Sequence, residues 1–243
     1  MKFIKLVLAI SIILNLILIF YIIMRKSYEG NFMNIKTIKN KTIINKNRKI
    51  NWERRNELFD VMPKSKNSIV FIGNSLTQNF ELSEFFQNLR VKNRGINGDM
   101  IDGVENRIEK ILESNPKKIF LEIGINDLTS GESTEKIVVS YKNLMDKIYL
   151  ENNNTEIYIQ SIFPVGGNIT TVNFNDGFKI NKQIRLINEE IKSYAVIKGM
   201  CYIDTYRFFE LKGELNPKYS ADGIHLSAIG YLKWYEILKP YVE

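Results

Sequence analysis

The segment SIVFIGNSLT at residues 68–77 is the most informative part of the sequence about the fold. Its apolar part, Ile69–Ile72, runs directly into a glycine and two polar residues, and a helical pattern begins after them. A short apolar run bounded by such a turn is typical of a buried strand. The stretch therefore predicts a strand that turns sharply into a helix, with Ser75 at the turn.

Downstream of this stretch, apolar runs alternate with amphipathic ones. Further strands are predicted at Arg90–Asn93, Lys118–Ile123, Glu156–Ser161 and Met200–Ile203. Helices are predicted at Asp102–Ser114, Ser133–Glu151, Lys179–Lys198 and Ala228–Leu238. Strands that alternate with helices indicate an α/β domain built on a parallel sheet.

Chemically useful residues follow these strands at the points where ligands bind in open parallel sheets, the carboxyl ends. Ser75 follows the first strand, Gly98 the second and Asn126 the third, while Asp222 and His225 follow the last. A hydroxyl, a glycine amide, a carboxamide and an Asp/His pair are thus expected at one edge of one sheet.

These groups suit acyl transfer through a serine nucleophile. Ser75 needs a base, and His225 is the only histidine in the chain. Asp222 lies three residues earlier, where it can orient the imidazole and stabilise its protonated form. The amides of Ser75 and Gly98 and the side chain of Asn126 can form an oxyanion hole, in which each donor is worth about 2.7–4 kcal/mol.

Each segment alone has a structural explanation. Ser75 could be a helix N-cap, Gly124–Asp127 a helix start, and Asp222–His225 an ordinary loop. Their joint occurrence in this order favours a functional site over ordinary structure.

A single histidine excludes the usual multi-histidine zinc sites, and no dinucleotide or Walker fingerprint is present, so we expect neither a metal nor a cofactor. A Gly-x-Ser-x-Gly elbow is also missing, which argues against the standard α/β-hydrolase fold.

The four segments resemble the four blocks of the SGNH hydrolases, also called GDSL esterases, over residues 68–241. The resemblance implies a three-layer α/β/α sandwich with a flavodoxin-like, mainly parallel five-stranded sheet. It also implies metal-free hydrolysis of carboxylic esters, with Ser75, Asp222 and His225 as catalytic residues and Ser75, Gly98 and Asn126 as oxyanion donors. The chain departs from the pattern at Asn74, where the family has Asp. Asparagine keeps an acceptor oxygen there and loses the charge.

The first 63 residues have a different character. Leu6–Met24 is an apolar run of about 28 Å as a helix, close to the thickness of a bilayer core. It lacks the small residues of a cleavage site, so an uncleaved signal anchor is preferred to a cleaved signal peptide. We therefore divide the chain into an anchor at 1–26, a basic linker with a short helix (Trp52–Met62) at 27–63, and an esterase domain at 64–243.

Charge bears on location and partners. Lysines precede the apolar run and basic residues also follow it, so the topology signals conflict. We expect export, which gives a single-pass protein of the cell membrane with an extracytoplasmic catalytic domain.

The formal net charge is +7, but the excess of basic residues clusters before the domain without interleaved aromatic residues, so no nucleic acid is expected as a partner. The sequence leaves the oligomeric state open.

The expected activity is removal of short acyl groups, acetyl above all, from a surface glycan. A lysophospholipase or acyl-thioesterase acting on lipid esters is the alternative, and a catalytically inactive membrane-tethered binding module is an alternative of another class. Two segments, Val165–Phe178 and Tyr206–Ser220, are expected to decide the substrate. Acyl-chain length is left open.

Overall fold

The structure is a computed structural model that describes residues 19–21, 24–25, 46–151, 154–167, 177–220 and 222–243. The chain forms two compact units, residues 1–49 and residues 50–243. The predicted anchor, Leu6–Met24, lies mostly outside the described residues. Within the described residues, no helix combines the length and the apolar character needed to cross a bilayer.

A helix at residues 46–61, which we call α1, lies mostly in the second unit. It begins earlier than the predicted start at Trp52, so part of the predicted linker is helical. Asn51 Nδ2 donates to the carbonyl oxygen of Asn97 at 3.0 Å, and the guanidinium of Arg94 lies over the ring of Phe59 at 4.9 Å. The helix is thus attached to the domain through a hydrogen bond and a cation–π contact.

A five-stranded parallel sheet with the order β2-β1-β3-β4-β5 forms the centre of the domain. Its strands are β1 Ile69–Gly73, β2 Val91–Gly95, β3 Lys118–Glu122, β4 Glu156–Gln160 and β5 Cys201–Ile203. This is the flavodoxin-like strand order, so the predicted fold class is confirmed. The predicted strands match to within two residues at each end, and the largest difference is at β2, which continues to Gly95.

Helices cover both faces of this sheet. They are α2 Ser75–Gln78, α3 Leu82–Phe86, α4 Ile101–Glu105, α5 Ile108–Leu112, α6 Ile125–Thr129, α7 Thr134–Glu151, α8 Gly177–Ile197, α9 Tyr206–Phe209 and α10 Ala228–Val242. The two-residue strands β6 (Glu210–Leu211) and β7 (Glu214–Leu215) form a small hairpin, and a 3₁₀ turn follows at Pro217–Tyr219.

Side chains of β1 and β3 alternate between two apolar cores, as the two-residue period of a strand requires. Val70, Ile72 and Leu121 belong to the core under α4, α5, α7 and α8. Phe71 and Phe120 belong to the core on the α10 face, where their rings stack with centroids 4.5 Å apart. The three layers expected from the resemblance are therefore present.

The predicted helix Asp102–Ser114 is in fact two short helices, α4 and α5, with a break at Asn106 and Arg107. Arg107 has φ −121° and ψ −3°, outside the helical region, and its side chain is only 1% exposed. The side chain forms an ion pair with Asp99 inside the domain. We infer that this buried pair, which depends on the tertiary fold, fixes where the helix breaks.

Candidate active site

The nucleophile candidate, Ser75, is the first residue of α2, and only Asn74 separates it from the end of β1. Asn74 caps this helix, because its Oδ1 accepts a hydrogen bond from the amide of Leu76 at 2.9 Å. The carboxamide oxygen thus performs the acceptor role expected where the family has Asp. The Nδ2 of Asn74 is buried without a hydrogen-bond partner among the described residues.

Ser75, His225 and Asp222 form a continuous hydrogen-bonded chain. Ser75 Oγ lies 3.1 Å from His225 Nε2, and His225 Nδ1 lies 2.6 Å from Asp222 Oδ2. If Nδ1 holds the proton and donates it to the carboxylate, Nε2 is the acceptor that faces the serine hydroxyl. The three predicted residues are therefore joined in the order that serine hydrolysis needs.

Backbone amides hold Asp222 as an acceptor. Its Oδ1 accepts from the amide of Ile224 at 2.9 Å and from the amide of His225 at 2.7 Å. Partial burial on its own would raise the pKa of Asp222, but the hydrogen bonds from His225 and from these amides outweigh it and hold the pKa below its ordinary value. The carboxylate is therefore charged when the imidazole takes up a proton.

The loop that contains Asp222 and His225 is tied to the domain on both sides. The amide of Gly223 donates to Ser220 Oγ at 3.0 Å, and the amide of Gly166 donates to the carbonyl oxygen of Gly223 at 2.8 Å. The amide of Ser227, which caps α10, donates to the carbonyl oxygen of Tyr219 at 2.7 Å. These bonds fix the imidazole relative to Ser75 across 150 residues of sequence.

Two of the oxyanion candidates, Gly98 and Asn126, are linked through the residue between them in the fold, Asp99. Asn126 Nδ2 donates to the carbonyl oxygen of Asp99 at 2.8 Å, which leaves its second N–H available to a substrate. Gly98 has φ +77°, a conformation that glycine adopts without strain. In the described part of the chain, neither the amide of Gly98 nor that of Ser75 donates to another group.

A buried ion pair that the sequence interpretation missed supports this loop. The Nε and Nη2 of Arg107 donate to Asp99 Oδ2 at 3.1 and 2.8 Å, and both side chains are 1% exposed. Arg107 follows Val104 by three residues and precedes Ile111 by four, so it lies on the apolar face of the predicted helix. A lone charge on an apolar face was the signal that could have revealed it.

Two further buried carboxyl groups lie near the carboxyl end of β3. Burial raises the pKa of Glu122 to about 8, and neither of its oxygens has a hydrogen-bond partner among the described residues. Burial also raises the pKa of Asp127 to about 7, although its Oδ1 accepts from the amide of Ile101 at 3.2 Å. The strand pattern hid Glu122, because it directly precedes Ile123 at the end of an apolar run.

Of the two segments predicted to decide the substrate, the structure describes Tyr206–Ser220 in full and Val165–Phe178 in part. Residues 168–176 of Val165–Phe178 lie outside the described residues. In Tyr206–Ser220, Phe209 is fully buried and its ring contacts Phe163 and Tyr219, whereas Phe208 is 38% exposed.

Among the described residues, no group of three or more His, Cys, Asp or Glu side chains could hold a metal ion.

Comparison with known proteins places this site in a family. Residues 71–233 match the model of the GDSL-like Lipase/Acylhydrolase family. A curated relative, the N-acylneuraminate cytidylyltransferase of Escherichia coli O18:K1:H7, is 29% identical over 189 residues. That match covers 74% of this chain and 40% of the relative, so the chain spans less than half of the relative's length.

Solved structures share the fold. A candidate platelet activating factor from Streptococcus pneumoniae has a TM-score of 0.71 at 23% identity, covering 87% of this chain and 99% of its own. A GDSL-like lipase from Bacteroides thetaiotaomicron has a TM-score of 0.69 at 18% identity, covering 79% and 97%. An acetylxylan esterase from Geobacillus stearothermophilus has a TM-score of 0.59 at 16% identity, covering 74% and 95%. The residues matched by the family model include all of the candidate site: Ser75, Gly98, Asn126, Asp222 and His225. The chain is therefore a carboxylic ester hydrolase that belongs to the GDSL-like lipase/acylhydrolase family, as its SGNH resemblance implied.

Proposed function

We propose that this esterase removes short acyl groups, acetyl above all, from a glycan, through an acyl-serine intermediate. The observation that supports the reaction best is the hydrogen-bonded chain from Ser75 Oγ through His225 to Asp222. The acyl group and the carbohydrate are supported by likeness alone. Acetylxylan esterases share the fold, and the curated relative is named for an acylated sugar acid.

In the first half of the proposed reaction, Ser75 Oγ attacks the ester carbonyl carbon while His225 Nε2 takes its proton. The negative charge that develops on the carbonyl oxygen is stabilised by the amides of Ser75 and Gly98 and by the free N–H of Asn126. Asp222 stabilises the imidazolium. When the C–O bond to the sugar breaks, the leaving oxygen takes the proton from His225 Nε2.

In the second half, water attacks the acyl-serine and gives its proton to the same nitrogen, His225 Nε2. The second tetrahedral intermediate collapses, the carboxylic acid leaves, and Ser75 Oγ recovers the proton. This scheme needs no metal or cofactor, because His225 serves as base and acid, and two backbone amides and the side chain of Asn126 serve as oxyanion donors.

A fluorophosphonate probe tests the nucleophile. It should label the wild-type chain at Ser75, and it should not label Ser75→Ala. Ser83→Ala, which removes an exposed serine of α3, is the matched control and should label normally. Labelling at another residue, or none in a folded wild-type protein, would support the inactive binding module instead.

A series of p-nitrophenyl esters tests the acyl group. Acetate and butyrate should be hydrolysed with a higher kcat/KM than palmitate. A preference for chains of twelve carbons or more would favour the lysophospholipase or acyl-thioesterase alternative, for which an amino-terminal anchor also makes sense.

We also propose that residues 1–26 anchor the chain in the cell membrane with residues 64–243 outside the cytoplasm, because a surface glycan would be accessible only there. The support is the apolar run Leu6–Met24 and the two lysines before it. Protease added to intact cells or protoplasts should digest the domain. Digestion only after lysis would place the domain in the cytoplasm and remove the surface glycan from consideration.

A further inference from the structure

A cavity of about 230 Å³ lies apart from the catalytic residues, on the side of the sheet where α1 and α5 meet β2. Phe59 of α1, Val70 of β1 and Ile111 of α5 form apolar parts of its wall. Ser75, Asp222 and His225 do not line it. Hydrolysis as proposed above does not use this cavity.

The wall of the cavity has an excess of positive charge. Its basic side chains are Lys64, Lys92, Arg94, Arg107 and Lys110, and its acidic side chains are Asp60 and Glu113. Lys110 pairs with Asp60, and Lys64 pairs with Glu113. Both carboxylates of the wall are therefore already paired with lysines and do not offset the other basic side chains.

The remaining basic side chains are Lys92, Arg94 and Arg107. Within the part of the chain that the structure describes, Lys92 and Arg94 form no ion pair. Arg94 donates one hydrogen bond, from Nη1 to the carbonyl oxygen of Asn93 at 2.9 Å. Burial, and the nearby charges of Arg107 and Arg55, lower the pKa of Arg94. Lys92 and Arg94 thus add two positive charges to the wall of the cavity, and no carboxylate among the described residues pairs with either of them.

Arg107 provides the second, independent sign of a ligand. Its side chain is 1% exposed, and Asp99 occupies its Nε and Nη2. Its Nη1 is buried and has no hydrogen-bond partner among the described residues. Leaving a buried donor of a charged group without a partner is unfavourable, so such groups normally have a ligand or solvent partner.

We propose that this cavity binds a phosphate group, with Lys92, Arg94 and Arg107 as its positively charged contacts. A carboxylate would offset one positive charge, whereas a phosphate monoester offsets up to two and presents several acceptor oxygens to two guanidinium groups. The cavity is larger than a phosphate group alone, and its apolar wall can accommodate a small organic substituent. The expected ligand is therefore a phosphomonoester.

Isothermal titration calorimetry on the full chain tests this site at an ionic strength fixed with chloride. The probes are inorganic phosphate, glycerol 3-phosphate, acetate, and phosphatidylcholine vesicles containing phosphatidic acid. We expect saturable binding of glycerol 3-phosphate that Arg94→Ala weakens by about tenfold or more, since a charge-assisted hydrogen bond is lost. Arg94→Lys should recover part of the affinity.

Matched variants separate this site from other effects. Lys182→Ala removes an exposed lysine of α8 that does not line the cavity, and it should bind as the wild type does. Ser75→Ala should also bind normally, so failure of the proposed esterase and failure of this site are distinguishable. If Arg94→Ala does not fold, Lys92→Met should still weaken binding by about threefold or more.

Binding of glycerol 3-phosphate that depends on Arg94 supports a soluble phosphomonoester, and binding of vesicles alone with the same dependence supports a lipid headgroup. No saturable binding of any phosphate probe overturns the proposal. So does acetate that binds as tightly as phosphate, or affinity that neither Arg94→Ala nor Lys92→Met changes.

Discussion

At the scale of single residues, Ser75 illustrates how one side chain depends on distant ones. Its hydroxyl is a weak nucleophile by itself, and in the proposed reaction its activation depends on an imidazole 150 residues away in the chain. That imidazole is in turn oriented by Asp222, whose other oxygen is held by two backbone amides. The three side chains should therefore act as a unit.

Ser75→Ala and His225→Ala should each lower kcat by about 10⁴- to 10⁶-fold, and the double variant should be hardly slower than either. The reason is that the serine oxygen and the imidazole act in the same proton-transfer step, so losing either one already prevents that step. Steady-state kinetics on p-nitrophenyl acetate measures this, with unfolding curves to confirm that the variants fold. If the two losses multiply, Ser75 and His225 do not work in one step.

Asn126→Ala should lower kcat by about 10²- to 10³-fold and change KM much less. Its free N–H is expected to stabilise the charge that appears on the carbonyl oxygen, which the ground-state ester does not yet have. Asn106→Ala, an exposed carboxamide at the end of α4, is the control and should leave kcat unchanged. A change confined to KM would mean that Asn126 binds the substrate rather than the transition state.

At the scale of elements, β2 and α2 meet so closely at Gly95 that a side chain has no room there. A Cβ on Gly95 would lie 2.2 Å from the backbone nitrogen of Gln78. The same contact region holds the loop that contains Gly98, because the amide of Asn97 donates to Gln78 Oε1 at 2.7 Å. Close approach of β2 and α2 thus connects the helix that begins at Ser75 to the loop that contains Gly98.

Gly95→Ala should reduce the free energy of unfolding by about 3 kcal/mol, the upper end of the usual cost of overpacking, because backbone atoms must move. Gly131→Ala is the comparison. Gly131 has φ +97° but nothing within 4 Å of an added Cβ, so backbone strain alone should cost about 1–2 kcal/mol. Urea unfolding measures both. Equal losses would show that the contact between β2 and α2 can relax.

At the scale of the whole molecule, buried carboxyl groups couple stability to pH. The raised pKa values, about 8 for Glu122 and about 7 for Asp127, lie above the ordinary values of 4.5 and 3.8. Between these limits the folded chain keeps protons that the unfolded chain has released. The free energy of unfolding should therefore fall as pH rises from about 5 to 8 and level off above that.

Glu122→Gln should flatten this decline, because glutamine cannot ionise. The gain in unfolding free energy should be small at pH 5 and should reach a few kcal/mol at pH 8, at about 1.4 kcal/mol for each pH unit in between. Urea unfolding at several pH values measures it. Glu135→Gln, an exposed position in α7, is the control and should follow the wild-type curve. A constant difference between Glu122→Gln and wild type at every pH would contradict a buried, titrating Glu122.

Local patterns in the sequence determined much of this protein. Runs such as Ile69–Ile72 predicted the strands, because a buried strand leaves an apolar signature wherever it occurs. Because the chain has a single histidine, the base could only be His225. The order of the predicted strands was enough to predict Ser75, Gly98 and Asn126 at the carboxyl ends of the strands. Helices of four or five residues, such as α3 and α9, were missed because they are too short to show a helical period.

Three features could not be read from local patterns and depend on the folded chain: the break between α4 and α5, the buried state of Glu122, and the cavity lined by Arg94 and Arg107. Each depends on residues that are far apart in sequence or on different elements. Asp99 and Arg107 share no local pattern, yet their ion pair ends one helix and supports the loop of Gly98. The physical reason is that desolvation and ion pairing depend on what surrounds a charge in space, whereas strand and helix patterns depend on a residue's neighbours in the chain.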